Sequence, residues 1–194
     1  MKTKSKYFPE SKLAHELLDG LKGIEIGSSA HNGFGLNTIN VDRIHHTSLE
    51  FEPYALEQVR LCGEVAEVDV VAPGDKLPFE DKSYDFVISS HVIEHFYDPI
   101  AAIKEWARVA TKYIYIICPL RDALPSDIDK PLTTLEEHIA RHESEIKLSS
   151  DEHHSRWTPQ SFRDMCIRYG FKVSHIQERD DKVGNGFTIV IKLS

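Results

Sequence analysis

The chain has 194 residues, of which 41% are hydrophobic and 28% charged, and its formal net charge is −8. This composition excludes a wholly disordered chain and predicts one domain, 1–194, with a core of its own. The acidic balance argues against an extended nucleic-acid surface, because such a surface needs clustered Lys and Arg. We expect residues 1–9, which carry a few lysines, to form a flexible tail.

No apolar stretch approaches the ~18 residues that a membrane-spanning helix needs, and the first residues lack the apolar segment of an export signal. Three cysteines, Cys62, Cys118 and Cys166, are far apart and form no C-x-x-C motif. Buried, reduced thiols in a cytosolic protein are the simplest interpretation. We therefore expect a cytoplasmic protein that contacts neither membranes nor nucleic acid.

Strand-like apolar runs alternate with helix-like stretches, as in parallel sheets covered by helices. Helices are predicted at 11–21, 53–62, 99–110 and 159–169. Strands are predicted at 23–27, 38–42, 66–72, 84–89 and 113–118, followed by an antiparallel hairpin at 171–177 and 187–192 around Gly184-Asn185-Gly186. These elements predict an α/β fold with a seven-stranded, mostly parallel sheet and helices on both of its faces.

The segment 119–157 is too long for a plain connection between a strand and a helix. We expect it to carry a helix of its own and a special role. Both Thr133-x-x-Glu136 and Thr134-x-x-Glu137 match the capping box that begins a helix.

The first two predicted strands end in residues suited to ligand binding. Gly27 follows a buried strand directly, so that a ligand can approach the backbone, and Asp42 ends the second strand at the same edge of the sheet. A carboxylate there can accept hydrogen bonds from both hydroxyls of a ribose. Alternatively, Gly27 makes a tight turn and Asp42 caps a loop. A dinucleotide site fits poorly, because Ser29 stands at the second glycine of G-x-G-x-x-G and Asp42 follows Gly27 by only 15 residues.

A longer motif, DKLPFEDKSYDFVISSHVIEHF at 75–96, continues from Asp98-Pro99 through Glu105-Trp106-Ala107-Arg108-Val109. It resembles the middle of the class I S-adenosylmethionine-dependent methyltransferases of the small-molecule, methyltransferase-11-like type. The resemblance extends over about residues 22–118 and more loosely through the hairpin. It implies a Rossmann-like three-layer sandwich that uses S-adenosylmethionine and releases S-adenosylhomocysteine.

The resemblance also implies roles at matching positions. Glu25 is expected to face the amino end of the cofactor, Asp42 its ribose, and the loop containing Leu77 its adenine. The complete set of residues expected to bind the cofactor is Glu25, Gly27, Ser28, Ser29, Asp42, Arg43, Asp75, Leu77, Ser90 and His91. An acidic edge suits this cofactor, because a sulfonium and an ammonium outweigh its single carboxylate.

The sequence departs from the family pattern at four places. Ser29 replaces a glycine, and little more than residues 32–35 remains of the helix that usually follows. Pro73 stands where an acid usually contacts adenine, which leaves Asp69 or Asp75 as substitutes. The usual glycine pair before the fifth strand is missing.

The expected reaction is methyl transfer to a small-molecule acceptor, with oxygen preferred to nitrogen as the methylated atom. A hydroxyl must lose its proton, and histidine titrates near neutral pH. The candidate bases are His95, His153 and His154. Segment 119–157 is expected to cap the acceptor side, with Trp157 as a wall and Arg156 holding an anionic acceptor. Alternatively, these histidines belong only to a helix start and a solvated loop.

Two other functional classes are open to the sequence. His91-x-x-Glu94-His95 matches the H-x-x-E-H motif of zinc proteases, which needs both histidines on one continuous helix. Here a strand ends near Ser89 and Asp98 starts a new helix, so the motif fits poorly. The other alternative is a non-catalytic domain that only binds a cofactor, which the degenerate glycine motif favours.

Two further groups of side chains were weighed as metal ligands. His138 and His142 are one helical turn apart, but a solvated helix face explains them better. Segment 151–154 offers adjacent Asp, Glu and His side chains, and no spacing enforces a site there. The expected active site therefore contains no metal.

Overall fold

The structure, a computed structural model, describes residues 8, 10–27, 31, 33–144, 146, 148 and 151–194. Its helices are α1 Lys12–Leu18, α2 Glu52–Cys62, α3 Pro99–Val109, α4 Leu135–Glu143 and α5 Pro159–Arg168. Its strands are β1 Gly23–Ile26, β2 Thr38–Asp42, β3 Val70–Val71, β4 Tyr84–Ser90, β5 Ala110–Pro119, β6 Lys172–Gln177 and β7 Gly186–Lys192. Single 3₁₀ turns cover Leu49–Phe51 and Ile93–His95. Ser28 and Ser29 lie outside the described residues, as does the predicted flexible tail, 1–9, apart from Phe8.

The seven strands form one sheet in the order β3-β2-β1-β4-β5-β7-β6. Strands β1 to β5 pair in parallel, whereas β7 is antiparallel to both β5 and β6. The order reverses at β1, where β2 lies on one side and β4 on the other. The predicted α/β fold, a Rossmann-like three-layer sandwich with a C-terminal antiparallel hairpin, is therefore confirmed.

Alternation along the central strands supplies a core to each face of the sheet. In β4, Val87 faces the side of α3 and α5, whereas Phe86 and Ile88 face the side of α1. Strands buried on both faces explain the continuous apolar runs of the sequence. In β1 the same alternation sends Ile24 and Ile26 to the α3 side.

Helix boundaries follow the capping signals in the sequence. Ser11, Asp98 and Thr158 each accept a hydrogen bond from the first turn of the helix that follows. In segment 119–157, Thr134 forms the capping box with Glu137 and thereby begins α4. Of the two capping boxes that the sequence offers, the structure uses the second.

Strand β3 is two residues long, much shorter than the predicted 66–72. On the N-terminal side of β3, side chains bond to backbone groups that a longer β2–β3 pair would bond to each other. The Asp69 carboxylate accepts from Asn40 N at 2.8 Å, and Asn40 Nδ2 donates to Glu67 O at 2.6 Å. Propensity alone predicted the longer strand, and these local side-chain contacts replaced it.

Helix α3 passes into β5 without the glycine pair that the resemblance leads us to expect. Lys82, which has a φ of +57°, takes its place as a cap. Its Nζ donates to Ala107 O at 2.7 Å and to Ala110 O at 2.9 Å, and its backbone N–H donates to Arg108 O. Carbonyls at the end of the helix are thus satisfied by a side chain from another loop, and β5 begins at once.

The turn between β6 and β7 is organised by one buried carboxylate. Asp180 accepts hydrogen bonds of 2.6–3.0 Å from the backbone N–H groups of Lys182, Val183, Gly184 and Gly186. Although burial raises its pKa, these bonds hold the pKa of Asp180 below its usual value. The carboxylate therefore fixes the loop that carries Asn185.

Asp180→Asn is expected to lower the free energy of unfolding by about 2 kcal/mol, because an amide NH₂ cannot accept the bonds from Gly184 and Gly186. Urea unfolding measures this difference. The control is Glu178→Gln, which makes the same charge change on an exposed side chain. A loss of the same size in both variants would contradict the proposed role of Asp180.

All three cysteines are buried and free, as predicted. In the described part of the chain, no helix has both the length and the apolar character needed to cross a bilayer.

Candidate active site

The carboxyl ends of three neighbouring strands, β2, β1 and β4, open onto a cavity of about 730 Å³. In open parallel sheets, ligands bind at this edge. The connections that follow neighbouring strands leave in opposite directions here and open a crevice between them. A volume of this size accommodates a nucleoside-sized ligand together with a small second molecule.

Two glycines make room at the floor of the cavity. Gly27, directly after β1, has a φ of +63°, and a Cβ there would lie 2.8 Å from Val92 Cγ2. A Cβ at Gly74 would lie 2.9 Å from both Ile26 Cγ2 and Phe96 Cζ. Both residues line the cavity, so a side chain at either position would strain or fill it.

Asp42 lines the cavity at the end of β2. One carboxylate oxygen accepts a hydrogen bond from Ile44 N at 3.2 Å. Burial raises the pKa of Asp42, although this backbone bond and the nearby Arg43 act to lower it.

Arg43 joins two polar groups at the cavity wall. It donates to Tyr54 Oη at 2.9 Å and pairs with Asp151, to which Tyr54 also donates at 2.5 Å. All three residues line the cavity. The cation of Arg43 is thereby neutralised, and a segment beyond β5 is tied to the edge of the sheet.

Of the two acids, Asp69 and Asp75, that the sequence offers near this edge, only one faces the cavity. Asp75 lies in its lining, whereas Asp69 is occupied by Asn40 N beside β3. The structure therefore favours Asp75.

His91 lines the cavity at the end of β4 with a φ of +56°. Its Nε2 lies 2.9 Å from Asn185 Oδ1, and its Nδ1 lies 3.0 Å from Ser90 Oγ. Burial lowers the pKa of His91, so the ring is neutral near pH 7. Ser90 itself is not in the cavity lining and supports His91 from behind.

Three further groups meet at one wall of the cavity. His95 and His153 pack edge to face with ring centroids 4.9 Å apart, and Glu94 lies between them. Burial raises the pKa of Glu94 to about 8, and burial together with the adjacent His153 lowers the pKa of His95 to about 4. His153 Nδ1 is hydrogen-bonded to Asp127.

Segment 119–157 brings His153 to this wall. The backbone N–H groups of His154 and Ser155 donate to Glu94 O at 2.8 and 3.3 Å. Leu124, Leu148 and Asp151 from the same segment also line the cavity.

Several predicted site residues lie elsewhere. Glu25 faces the α1 side, where its carboxylate is 3.4 Å from both Phe34 N and Thr38 Oγ1. Burial raises the pKa of Glu25, although Lys182 counteracts this. Leu77 is buried in the core on the α3 side.

Residues 154–157 also turn away from the cavity. The expected roles of Trp157 and Arg156 are wrong: Trp157 is 1% exposed and packs in the core, and Arg156 binds Asp127 and the carbonyls of His153 and Pro131. His154 is absent from the cavity lining, and its ring lies against Tyr97. Along this extended segment successive side chains alternate, so His153 faces inward while His154 does not.

The helix that the zinc-protease motif requires is not formed at 91–95. β4 ends at Ser90, and only the 3₁₀ turn Ile93–His95 follows. His91 binds Asn185, whereas His95 faces His153. The two histidines of the motif therefore do not act as a pair.

Sequence reasoning assigned no role in the expected site to several lining residues, chiefly His31, Tyr54, Glu57, Glu94 and Asn185. Glu94 was visible as a carboxylate following β4, but it was considered only within the zinc motif. Asp127, which holds His153, carries no local signal because the loop around it has no regular pattern.

The sheet order, the antiparallel β7 and a cavity that meets an acid at the end of β2 agree with the class that the sequence resembles, the class I S-adenosylmethionine-dependent methyltransferases. Residues 25–118 match the family described as methyltransferase domain. No curated protein matches the chain significantly.

Solved structures share the fold. An S-adenosylmethionine-dependent methyltransferase from Aquifex aeolicus is 18% identical with a TM-score of 0.57, covering 97% of this chain and 91% of that one. One from Methanosarcina mazei is 16% identical with a TM-score of 0.55, covering 95% and 98%. One from Thermotoga maritima, described as a possible histamine N-methyltransferase, is 18% identical with a TM-score of 0.56, covering 93% and 86%.

The cavity fits S-adenosylmethionine, the cofactor of this class. Its lining carries carboxylates that suit a ligand with a sulfonium and an ammonium: Asp42, Glu57, Asp75 and Asp151. Among the described residues of the lining, the one arginine, Arg43, is paired with Asp151. Phosphate-rich cofactors would meet repulsion here.

Proposed function

We propose that the protein methylates a hydroxyl oxygen of a small-molecule acceptor. The observation that carries this proposal is that one cavity joins Asp42, at the edge where the cofactor binds, to the facing pair His95 and His153. When bound, S-adenosylmethionine supplies a methyl group on a positively charged sulfur, and the products are the methylated acceptor, S-adenosylhomocysteine and one proton.

Cofactor binding is proposed to rest on the edge formed by β1, β2 and β4. Gly27 lets the ligand approach the backbone, and Asp42 accepts hydrogen bonds from its ribose. Asp75 lies on the adenine side, and His91 lies at the end of β4. In this arrangement the residues position the methyl group toward the wall that carries His95.

Proton removal is proposed to take place at the wall formed by His95 and His153. Amines attack with a free lone pair, whereas a hydroxyl oxygen needs a group that takes its proton. A cluster of two histidines and a carboxylate suits a hydroxyl acceptor, because it offers groups that can take the proton.

Segment 119–157 is proposed to form the acceptor side of the site within a single domain, 1–194. Leu124 and Leu148 supply an apolar surface, and Asp151 and His153 supply polar groups. An acceptor with an apolar body and one polar reacting group matches this wall.

The function is tested by measuring S-adenosylhomocysteine formation with panels of small alcohols, phenols, amines, thiols and carboxylates, each matched in size. Turnover with hydroxyl acceptors is expected, together with a mass increase of one methyl group on oxygen. Turnover confined to amines or thiols would overturn the assignment to oxygen.

Asp42→Ala is expected to weaken S-adenosylmethionine binding about 10- to 100-fold, because charged hydrogen bonds of about 1–3 kcal/mol are lost. Isothermal titration calorimetry measures the affinity. Asp69→Asn is the control, since it removes a carboxylate from the same region of the sheet but outside the cavity. Unchanged affinity in Asp42→Ala would remove this residue from the site.

A further inference from the structure

Glu94 carries a buried carboxylate next to two histidines. Its side chain is about 1% exposed, and neither carboxylate oxygen receives a hydrogen bond from the residues that the structure describes. Leaving such a group unpaired costs several kcal/mol, so buried carboxylates in proteins are hydrogen-bonded, protonated or bound to a cation. The burial of Glu94 therefore points to a ligand.

Two imidazole nitrogens converge on the same carboxylate oxygen. His95 Nε2 and His153 Nε2 each lie 3.8 Å from Glu94 Oε1, too far for a hydrogen bond. One ligand atom from each of the three residues lies within 4.8 Å of the others. Ligands bound tetrahedrally at about 2.1 Å from a zinc ion are roughly 3.4 Å apart, so small side-chain rotations would close the site.

His153 is held in the orientation that a metal ligand needs. Its Nδ1 is hydrogen-bonded to Asp127, which leaves Nε2 directed at Glu94. A carboxylate behind a histidine is the usual support of a metal-bound imidazole, because it fixes the ring and raises its basicity. Asp127 is itself held by Lys130 Nζ and Arg156 Nη1, each at 3.5 Å.

The backbone fixes the two segments that supply these ligands. Glu94 and His95 belong to the 3₁₀ turn after β4, and His154 N and Ser155 N both donate to Glu94 O. Hydrogen bonds to one carbonyl thus set the distance between His153 and Glu94. All three side chains also line the cavity, so ligands from solvent can reach them.

We propose that Glu94, His95 and His153 bind a divalent first-row transition metal ion such as Zn²⁺, with one coordination position open to the cavity. Two imidazoles and a carboxylate suit such ions better than Mg²⁺ or Ca²⁺, which prefer oxygen alone. Three protein ligands and an open position are the arrangement of catalytic rather than structural zinc sites.

The ion's role rests on the proposed function. A hydroxyl acceptor at the open position would have its pKa lowered, and its proton would pass to solvent. The oxygen lone pair then forms the bond to the methyl carbon while the carbon–sulfur bond breaks and its electron pair stays on sulfur. His95 and His153 would in that case act through the ion rather than as free bases.

The test measures metal binding alone, without cofactor or acceptor, so that its result is independent of the proposed methyl transfer. Full-length protein is stripped with a chelator and titrated with Zn²⁺, with Mg²⁺ and Ca²⁺ as comparisons. We expect one equivalent of Zn²⁺ to bind with micromolar or tighter affinity and to raise the melting temperature. Absence of a stoichiometric Zn²⁺ site would overturn the proposal.

Two variants test proposed ligands, and a third tests the carboxylate that supports His153. Glu94→Gln and His153→Ala are each expected to weaken Zn²⁺ binding at least 100-fold, and Asp127→Asn about 10- to 100-fold. The Gln variant keeps the shape of the side chain and removes only its ionisable group, so it is expected to fold at least as well as the native chain. His175→Ala, which removes an exposed histidine of β6, is the control and should leave the affinity unchanged. Equal effects in Glu94→Gln and His175→Ala would show adventitious binding and overturn the assignment.

Discussion

His95→Ala is expected to reduce kcat about 10²- to 10⁴-fold while the affinity for S-adenosylmethionine changes less than about threefold. The reduction is the size that loss of a positioned acid–base group causes. This reduction is expected in both cases: if His95 takes the proton from the acceptor, and if His95 binds the proposed metal ion. Affinity should persist because Asp42, Gly27 and Asp75 are unaffected. Steady-state kinetics and calorimetry on the same preparation measure the two quantities.

His175→Ala is the matched control for kinetics, because it removes a histidine that lies exposed on β6. Circular dichroism and thermal melting of both variants check that the fold is kept. If His95→Ala lost turnover and cofactor affinity to the same extent, His95 would have a structural role only.

Acidification is expected to destabilise the protein through His138, by about 3 kcal/mol between pH 6.5 and pH 4. His138 stacks on Trp157, and its Nε2 accepts the indole Nε1–H at 2.7 Å. Burial lowers the pKa of His138 from 6.5 to about 4, and the charge of Arg141 contributes to this. Each pKa unit corresponds to about 1.4 kcal/mol.

The sign follows from the direction of the shift. A folded-state pKa below the unfolded value stabilises the protein above pH 6.5, and this contribution is lost as the pH falls through about 4. Protonation of His138 Nε2 places an N–H donor against the indole N–H of Trp157 and buries a positive charge. Glu137 and Asp98 favour the charged form but do not reverse the shift.

His138→Phe isolates this contribution from those of the other histidines. The variant should be less stable at pH 7 by about 1–3 kcal/mol, because the Trp157 N–H is left unsatisfied. Its stability should fall less steeply on acidification than that of the native chain. Urea unfolding from pH 7 to pH 4 gives both values, and parallel pH profiles would contradict the assignment.

The structure also gives His138 and Trp157 roles that sequence reasoning did not anticipate. His138 was interpreted as part of a solvated helix face, and Trp157 as a wall of the acceptor pocket. Helical spacing places His138 and His142 on one face of α4, but only packing against α5 decides that this face is buried. A pair of side chains 19 residues apart leaves no periodic signal.

Local signals, by contrast, predicted most of the fold. Apolar runs located the central strands, and Ser11, Asp98, Thr134 and Thr158 marked helix starts. Where local hydrogen bonds compete with the strand pattern, as at Asp69, the prediction failed. Lys82 shows the same limit, because the residue that replaces a missing glycine cap comes from a different loop.

The sequence by itself determined the α/β fold, the resemblance to methyltransferases and the position of Gly27 and Asp42 at the carboxyl edge of the sheet, because each depends on residues that are adjacent or regularly spaced. Only the tertiary structure decided which acid faces the cavity and that Glu94, His95 and His153 come together. Segment 119–157 brings His153 back to β4 over about 60 residues of chain, and such a long-range contact is fixed by packing and by hydrogen bonds to Glu94 O rather than by any pattern of neighbours.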